Sequence, residues 1–109
     1  AICSVRGGSK EQMGHACAMA LKNLMGLVCD PVAGLVEVPC VKRNVGGAVN
    51  ALAAADMALA GIASHIPVDQ VIDAMGEVGM KMDVSLRETS MGGVATSPKG
   101  LEIAERLGM

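Results

Sequence analysis

Two cysteines lie near the ends of an apolar segment in which proline and glycine break the backbone. Cys29 and Cys40 belong to "GLVCDPVAGLVEVPC", residues 26–40, which carries only two charged side chains. The following "VKRN" predicts a helix start, so helix N–H groups and the positive end of the helix dipole should lie near Cys40. Arg43 and Asn44 add hydrogen-bond donors at the same place. These residue types favour the binding of an anion there.

The cysteine spacing narrows the metal chemistry that the chain can support. None of the four cysteines forms a C-x2-C pair, and no pair of histidines lies near them, so a zinc finger or zinc ribbon is not supported. A metal site would have to be assembled from distant segments.

The first residues, "AICSVRGGSKEQ", lack the basic start and apolar run of a signal peptide. We therefore expect reduced thiols in a cytoplasmic protein.

Helical periodicity predicts the elements that position these residues. Ser9 followed by Gln12 has the capping-box pattern, and apolar residues recur at helical spacing after it. The only candidate strand, "LVEV", is short and lies between Gly and Pro. The sequence predicts an all-α fold of several packed helices, with a long ordered Cys/Pro/Gly loop between the first two. The predicted helices are residues 10–25, a second capped by Asn44 and ending at Gly61, a third from Pro67 to Met82, and a fourth from Ser97 to Leu107.

Composition limits the number of domains and the classes of partner. A chain of 109 residues suits one domain with a modest core, which Ala, Val, Leu, Ile and nine Met must fill because Phe, Tyr and Trp are absent. The net charge of -2, without blocks of like charge, argues against a nucleic-acid surface or a basic membrane patch. The most apolar stretch, residues 45–63, contains Asn50 and Asp56, which argues against a membrane-spanning helix.

The remaining sulfur and polar residues have structural interpretations. Cys3 and Cys17 are expected to be inert and buried, with Cys17 on the packed face of the first predicted helix. We expect His15 to be solvated on an exposed turn and His65 to be a local hydrogen-bonding group before a helix. The glycine pair at 92–93 in "ETSMGG" is most simply a turn, although its backbone N–H groups could hold a carboxylate.

The segment "GLVCDPVAGLVEVPCVKRN" closely resembles the cysteine-bearing stretch of the iron–sulfur-dependent L-serine dehydratases. The match is to the α chain in those members where the enzyme is split into α and β chains. The likeness continues through "SHIPVDQVIDAM" and "LRETSMGGVA", so it covers nearly the whole chain. Family members usually have a second glycine where this chain has Ala33.

The resemblance implies a [4Fe–4S] cluster that is held by three cysteines and leaves one iron open for substrate. Cys29 and Cys40 would be two of these ligands, and the third is expected upstream of the segment that begins here. Residues 1–109 would then be the C-terminal part of an α-chain catalytic domain, inactive alone. The implied reaction converts L-serine to pyruvate and ammonia, with an open iron acting as a Lewis acid.

The resemblance and the residue chemistry together predict binding partners and candidate substrate-binding residues. The expected partners are L-serine, the remainder of the α chain and a β chain or regulatory domain, in an oligomer. The sequence does not identify the general base. Two other interpretations stay open, namely a non-catalytic helical subunit or scaffold without a complete cluster site, and a zinc site built from three or four thiolates. The candidate substrate-binding residues are Arg43, Asn44, Thr89, Ser90 and Gly93.

Overall fold

The chain folds into helices that are joined by turns. The computed structural model describes all of residues 1–109, of which 66% are helical and none lies in a β-strand. The predicted all-α fold is therefore confirmed. The five α-helices are α1 (Ile2–Val5), α2 (Lys10–Leu24), α3 (Cys40–Leu59), α4 (Val68–Lys81) and α5 (Pro98–Arg106), and 3₁₀ turns cover Val32–Gly34, Val84–Leu86 and Gly93–Thr96.

Three helices begin where the capping residues predict. At the start of α2, the Ser9 hydroxyl accepts a hydrogen bond from Gln12 N at 3.1 Å, and the Gln12 side chain accepts one from Ser9 N at 2.9 Å. At the start of α5, the Ser97 hydroxyl accepts from Gly100 N at 3.1 Å. Helix α4 begins directly after Pro67, whose fixed φ suits the entry to a helix. Local chemistry therefore sets these three boundaries.

Helix α3 begins earlier than predicted, because Asn44 does not cap it. Cys40 is the first residue of the helix, and the Pro39 carbonyl already accepts a hydrogen bond from Arg43 N at 3.1 Å. Pro39, which cannot donate a backbone hydrogen bond, is the break that ends the preceding turn. Asn44 consequently lies inside the helix, and Cys40 lies in its first turn rather than ahead of it.

The chain divides into two compact units, and the first consists of Ala1–Met25 and Gly46–Val78. Within it, Arg6 forms an ion pair with Asp56, which is exposed on α3. The Asn50 amide donates to the Ala20 carbonyl at 2.9 Å and thereby links α3 to α2. The interior is built from small side chains, as expected for a chain without aromatic residues. Its buried members are Cys3, Ala18, Ala54, Ala55, Ala58 and Val71.

The second unit consists of Gly26–Val45 and Gly79–Met109. Helix α5 packs on the first and third 3₁₀ turns of this unit. The close approach needs Gly100, because a Cβ there would overlap the Val94 carbonyl and lie 2.9 Å from the Ala95 carbonyl. All of the candidate site residues belong to this unit.

Two expectations about the first unit were wrong. His15 lies inside α2 and is half-buried, and its Nδ1 accepts a hydrogen bond from Ser64 N at 3.2 Å. Cys17 is exposed, whereas Cys3 is 2% exposed as expected. The reason is that the apolar stripe of α2 is wider than the strip that is buried, which leaves Cys17 at the rim of a 220 Å³ cavity.

None of the helices is both long enough and apolar enough to span a bilayer. Many large apolar side chains are nevertheless exposed, among them Val45 at 67% and Met80 at 76%. No large side chain is fully buried. A large part of the apolar side-chain surface is therefore exposed rather than buried in the cores of the two units.

Candidate functional site

The backbone of Cys29 is held by the loop that follows α4. Cys29 N donates to the Leu86 carbonyl at 2.9 Å, and Glu88 N donates to the Cys29 carbonyl at 2.8 Å. These two bonds form an isolated parallel bridge between Cys29 and Arg87. Both polar groups of the Cys29 backbone are therefore satisfied, which gives this residue a defined position although it lies in no helix.

The next two residues are held by the same loop. Asp30 is buried, with 6% of the residue exposed, and its Oδ2 accepts a hydrogen bond from Val94 N at 2.7 Å. The Ser90 hydroxyl donates to the Pro31 carbonyl at 2.6 Å. The C-D-P part of the sequence is thus fixed by contacts with residues about sixty positions away, since the two bonds span 64 and 59 residues.

The glycine pair packs against these groups. Gly93 has φ +62°, and a Cβ there would overlap Asp30 Oδ2 and lie 2.7 Å from Asp30 Cβ and Cγ. A Cβ at Gly92 would lie 2.9 Å from the Ser85 carbonyl. The glycine pair lies in a turn, as expected, and the backbone N–H that holds a carboxylate there is that of the next residue, Val94, bound to the chain's own Asp30. Gly93 is consequently required by packing and by backbone conformation.

Arg43 links the first turn of α3 to the cysteine segment. Its guanidinium donates to the Val28 carbonyl at 2.5 Å, and the side chain is half-buried. Arg43 lies about one helical turn after Cys40, so this bond connects the helix that carries one thiol to the residue that precedes the other. Asn44, which is exposed on α3, is not part of these contacts.

The two thiols are free and half-buried, and both belong to the second unit. Burial raises the pKa of the Cys29 thiol, and the negative charges of Glu88, Cys40 and Asp30 raise that pKa further, whereas the Arg43 guanidinium lowers it. An ion or cluster that binds as a cation would relieve this accumulation of negative charge. The surroundings therefore suit a ligated thiolate better than a free thiolate nucleophile.

The structure does not bring a third ligand to these thiols. Nowhere in the chain do three or more His, Cys, Asp or Glu side chains converge in a way that could hold a metal ion. A zinc site made from three or four thiolates of this chain is therefore not supported. Two half-buried thiols on a fixed backbone do fit part of a thiolate-held iron–sulfur cluster, and the remaining ligand would have to come from outside residues 1–109.

Thr89 and Ser90 line a cavity of 480 Å³ in the second unit. The Thr89 hydroxyl donates to the Val84 carbonyl at 2.8 Å, so both hydroxyl protons of this pair are used by backbone carbonyls. Glu88 lies in the same wall and has φ +67°, and Ser90 has φ +57°. Non-glycine residues in the left-handed region carry strain and are concentrated at functional sites.

The predicted residues are thus partly assembled. The structure joins the segment of Cys29 to Arg43, Ser90 and Gly93, and it leaves Asn44 apart. Sequence reasoning missed Asp30 and Glu88, whose negative charges act on Cys29 together with that of Cys40. The position of Asp30 directly after a cysteine and before a proline was the one available signal.

Comparison with known proteins assigns the chain to a family. The profile of the family described as "Serine dehydratase alpha chain" matches residues 1–95. The chain is 60% identical over 107 residues to the "Probable L-serine dehydratase, alpha chain" of Bacillus subtilis (strain 168), with 98% of this chain covered. It is 50% identical over 103 residues to the "L-serine dehydratase, alpha chain" of Peptoniphilus asaccharolyticus, with 94% of this chain covered. The chain belongs to the serine dehydratase alpha chain family.

Similarity extends to relatives with a different name and chain length. The "L-serine dehydratase 1" of Escherichia coli (strain K12) is 44% identical over 95 residues, which are 86% of this chain. The chain spans 36% of the length of the Bacillus protein, 35% of the Peptoniphilus protein and 21% of the Escherichia protein. The matched region is therefore a minor part of each of these proteins.

Proposed function

We propose that the chain is part of an L-serine dehydratase, an L-serine ammonia-lyase that converts L-serine to pyruvate and ammonia with the help of a [4Fe–4S] cluster. The observation that carries the proposal is the pair of half-buried free thiols, Cys29 and Cys40, in one compact unit of a member of this family. The names of the relatives support the substrate.

Cys29 and Cys40 would hold the cluster, together with a third cysteine outside residues 1–109. When bound, the cluster would supply a Lewis acid for the substrate carboxylate and hydroxyl, which stabilises the charge that develops as hydroxide leaves. The residues around Cys29 suit this role, because they hold its backbone on both sides through Leu86 and Glu88.

The other residues of the site would bind and orient L-serine. A hydroxyl has one proton and two acceptor positions, and the protons of Thr89 and Ser90 are already donated to backbone carbonyls. Their oxygen atoms are therefore suited to accept hydrogen bonds from the serine ammonium group rather than to bind its carboxylate. Arg43 donates one N–H to the Val28 carbonyl, and its positive charge makes it the remaining candidate for the carboxylate. Asn44 follows Arg43 in the chain but is exposed and makes no contact with the site, so its role would need a rearrangement on binding.

The complete enzyme would need further polypeptide. The exposed apolar side chains support a partner surface, since large apolar groups such as Val45 and Met80 remain at 67% and 76% exposed. The chain's share of its relatives' length supports the remainder of an α chain as one partner. A β chain or regulatory domain and an oligomeric state complete the proposal.

The test is catalysis by the complete enzyme that contains this segment, prepared without oxygen. After reconstitution with iron and sulfide, we expect pyruvate to form with L-serine and not with D-serine, and we expect L-serine to change the cluster's electron paramagnetic resonance signal. Absence of pyruvate from a preparation with full iron and sulfide content would contradict the proposed reaction. Such a preparation would instead favour a non-catalytic subunit.

A further inference from the structure

Each of residues 28–31 is held by a group from elsewhere in the second unit. At Val28, Cys29 and Pro31 the backbone carbonyl accepts the hydrogen bond. Asp30 is different, because its side chain is the group that is held. The residue is 6% exposed, and its carboxylate accepts the Val94 N–H at 2.7 Å.

The partner of Asp30 is shaped for a side chain of this size. Gly93 is in the left-handed region at φ +62°, and any Cβ there would overlap Asp30 Oδ2. The glycine and the following N–H therefore form a close-fitting seat for the carboxylate. Gly34, in the same unit at φ +72°, would have open space within 4 Å of an added Cβ, so left-handed backbone alone does not explain the fit at Gly93.

We infer that Asp30 is a positioning residue for the Cys29 sulfur, and that the seat made by Gly93 and Val94 acts on cluster binding through Asp30. This inference rests on the proposed function only in its last step, where the sulfur becomes a cluster ligand. Cys29 directly precedes Asp30, so holding the Asp30 side chain restricts rotation of the peptide plane between them and, with it, the direction of the Cys29 Cα–Cβ bond that carries the sulfur.

The role is geometric, which distinguishes it from a role of the negative charge. A buried carboxylate is costly unless it is hydrogen-bonded, and a packing role alone would be filled equally well by an apolar side chain. Asparagine can accept the Val94 N–H through its Oδ1, although it carries no charge. Asp30→Asn should therefore keep the position of Cys29, and Asp30→Ala should lose it.

The experiment measures the alkylation of Cys29 in the 109-residue chain without iron, with an uncharged maleimide and peptide mass spectrometry, over a range of pH. The rates compared are those of the thiolate form, so the effect of the Asp30 charge on the pKa of the Cys29 thiol is removed from the comparison. Asp30→Ala should raise the rate about tenfold, the factor by which loss of one hydrogen bond to a charged group shifts a local opening equilibrium. Asp30→Asn should stay close to the wild-type rate. The exposed Cys17, in the other unit, is the internal reference and should not change.

A matched control separates this seat from any other carboxylate contact. Glu102 accepts a hydrogen bond from Lys99 Nζ at 2.7 Å in the same unit, and Glu102→Ala should leave the Cys29 rate unchanged. Equal rates in Asp30→Ala and wild type would overturn the inference. A rate as high in Asp30→Asn as in Asp30→Ala would also overturn it, because charge rather than geometry would then be decisive.

If Asp30→Ala does not fold, the glycine pair answers the same question. Gly93→Ala should raise the Cys29 rate at least several-fold more than Gly34→Ala, since both substitutions place Cβ in left-handed backbone and only the first displaces Asp30. Equal rates in the two variants would refute the inference. In the iron-loaded complete enzyme, Asp30→Ala should also alter the cluster's paramagnetic resonance signal. A normal signal in the iron-loaded Asp30→Ala enzyme, together with a raised alkylation rate in the iron-free chain, would show that Asp30 positions Cys29 without affecting cluster binding.

Discussion

Replacing Ala33 with glycine should stabilise the chain, although most alanine-to-glycine changes destabilise proteins. Ala33 has φ 54° and ψ 21°, in the left-handed region. That conformation costs an L-residue with a Cβ about 1–2 kcal/mol, and glycine avoids the cost. Glycine loses about 0.4–1 kcal/mol through the greater freedom of the unfolded chain. Because Ala33 is half-buried and its methyl group contributes a little packing, the net gain should be about 0.5 kcal/mol.

The assay is thermal unfolding followed by circular dichroism, with Ala53→Gly as the matched control. Ala53 is exposed in the interior of α3, where glycine costs about 1 kcal/mol. Since 1 kcal/mol shifts Tm by roughly 4–8 °C in a domain of this size, we expect a rise of about 2–4 °C for Ala33→Gly and a fall of about 4–8 °C for Ala53→Gly. A fall in Tm for both variants would refute the assignment of strain to Ala33.

Three further predictions concern single contacts. Arg43→Ala should lower the free energy of unfolding by about 1.5 kcal/mol in urea titration, because the Val28 carbonyl loses a donor that carries a charge, and an unchanged midpoint would contradict this. Glu88→Gln should lower the pKa of the Cys29 thiol, because the Glu88 charge raises it. Iodoacetamide should therefore react faster with Cys29 in the iron-free chain at about pH 8. An unchanged pH profile of this reaction would show that the Glu88 charge does not act on Cys29. Ser97→Ala should cost about 1 kcal/mol in thermal unfolding through loss of the α5 cap, and an unaltered Tm would remove the cap from the account.

Helix boundaries with their own capping chemistry could be predicted from the sequence, and the others could not. The Ser9 and Ser97 caps and the Pro67 entry are local signals, and the helices that follow them start where expected. Asn44 was predicted to cap α3 but lies inside this helix, which begins at Cys40. A residue type that is favoured at N-caps is also tolerated in helix interiors, so its presence alone does not mark a helix start. Helix α1 is a single turn, too short for periodicity to reveal.

The site was predictable as a set of residue types and not as a set of contacts. The two cysteines were singled out by residue type and spacing, and the resemblance implied their role as ligands, whereas Ser90 and Gly93 were proposed from chemistry and position alone. The partner of Asp30 lies 64 residues away in the chain, and no local pattern connects the two. The close packing at Gly93 likewise depends on the Asp30 side chain that fills the space where a Cβ would lie.

The most direct test of the central claim is the iron and sulfide content of cysteine variants of the complete enzyme, prepared without oxygen and assayed on the same samples for pyruvate formation from L-serine. Cys29→Ser and Cys40→Ser should each lose both bound iron and activity, because removal of one thiolate ligand destabilises the whole cluster. The exposed Cys17 provides the matched control, and Cys17→Ser should keep both. Full iron content and full activity in Cys29→Ser or in Cys40→Ser would contradict the assignment of these thiols as cluster ligands.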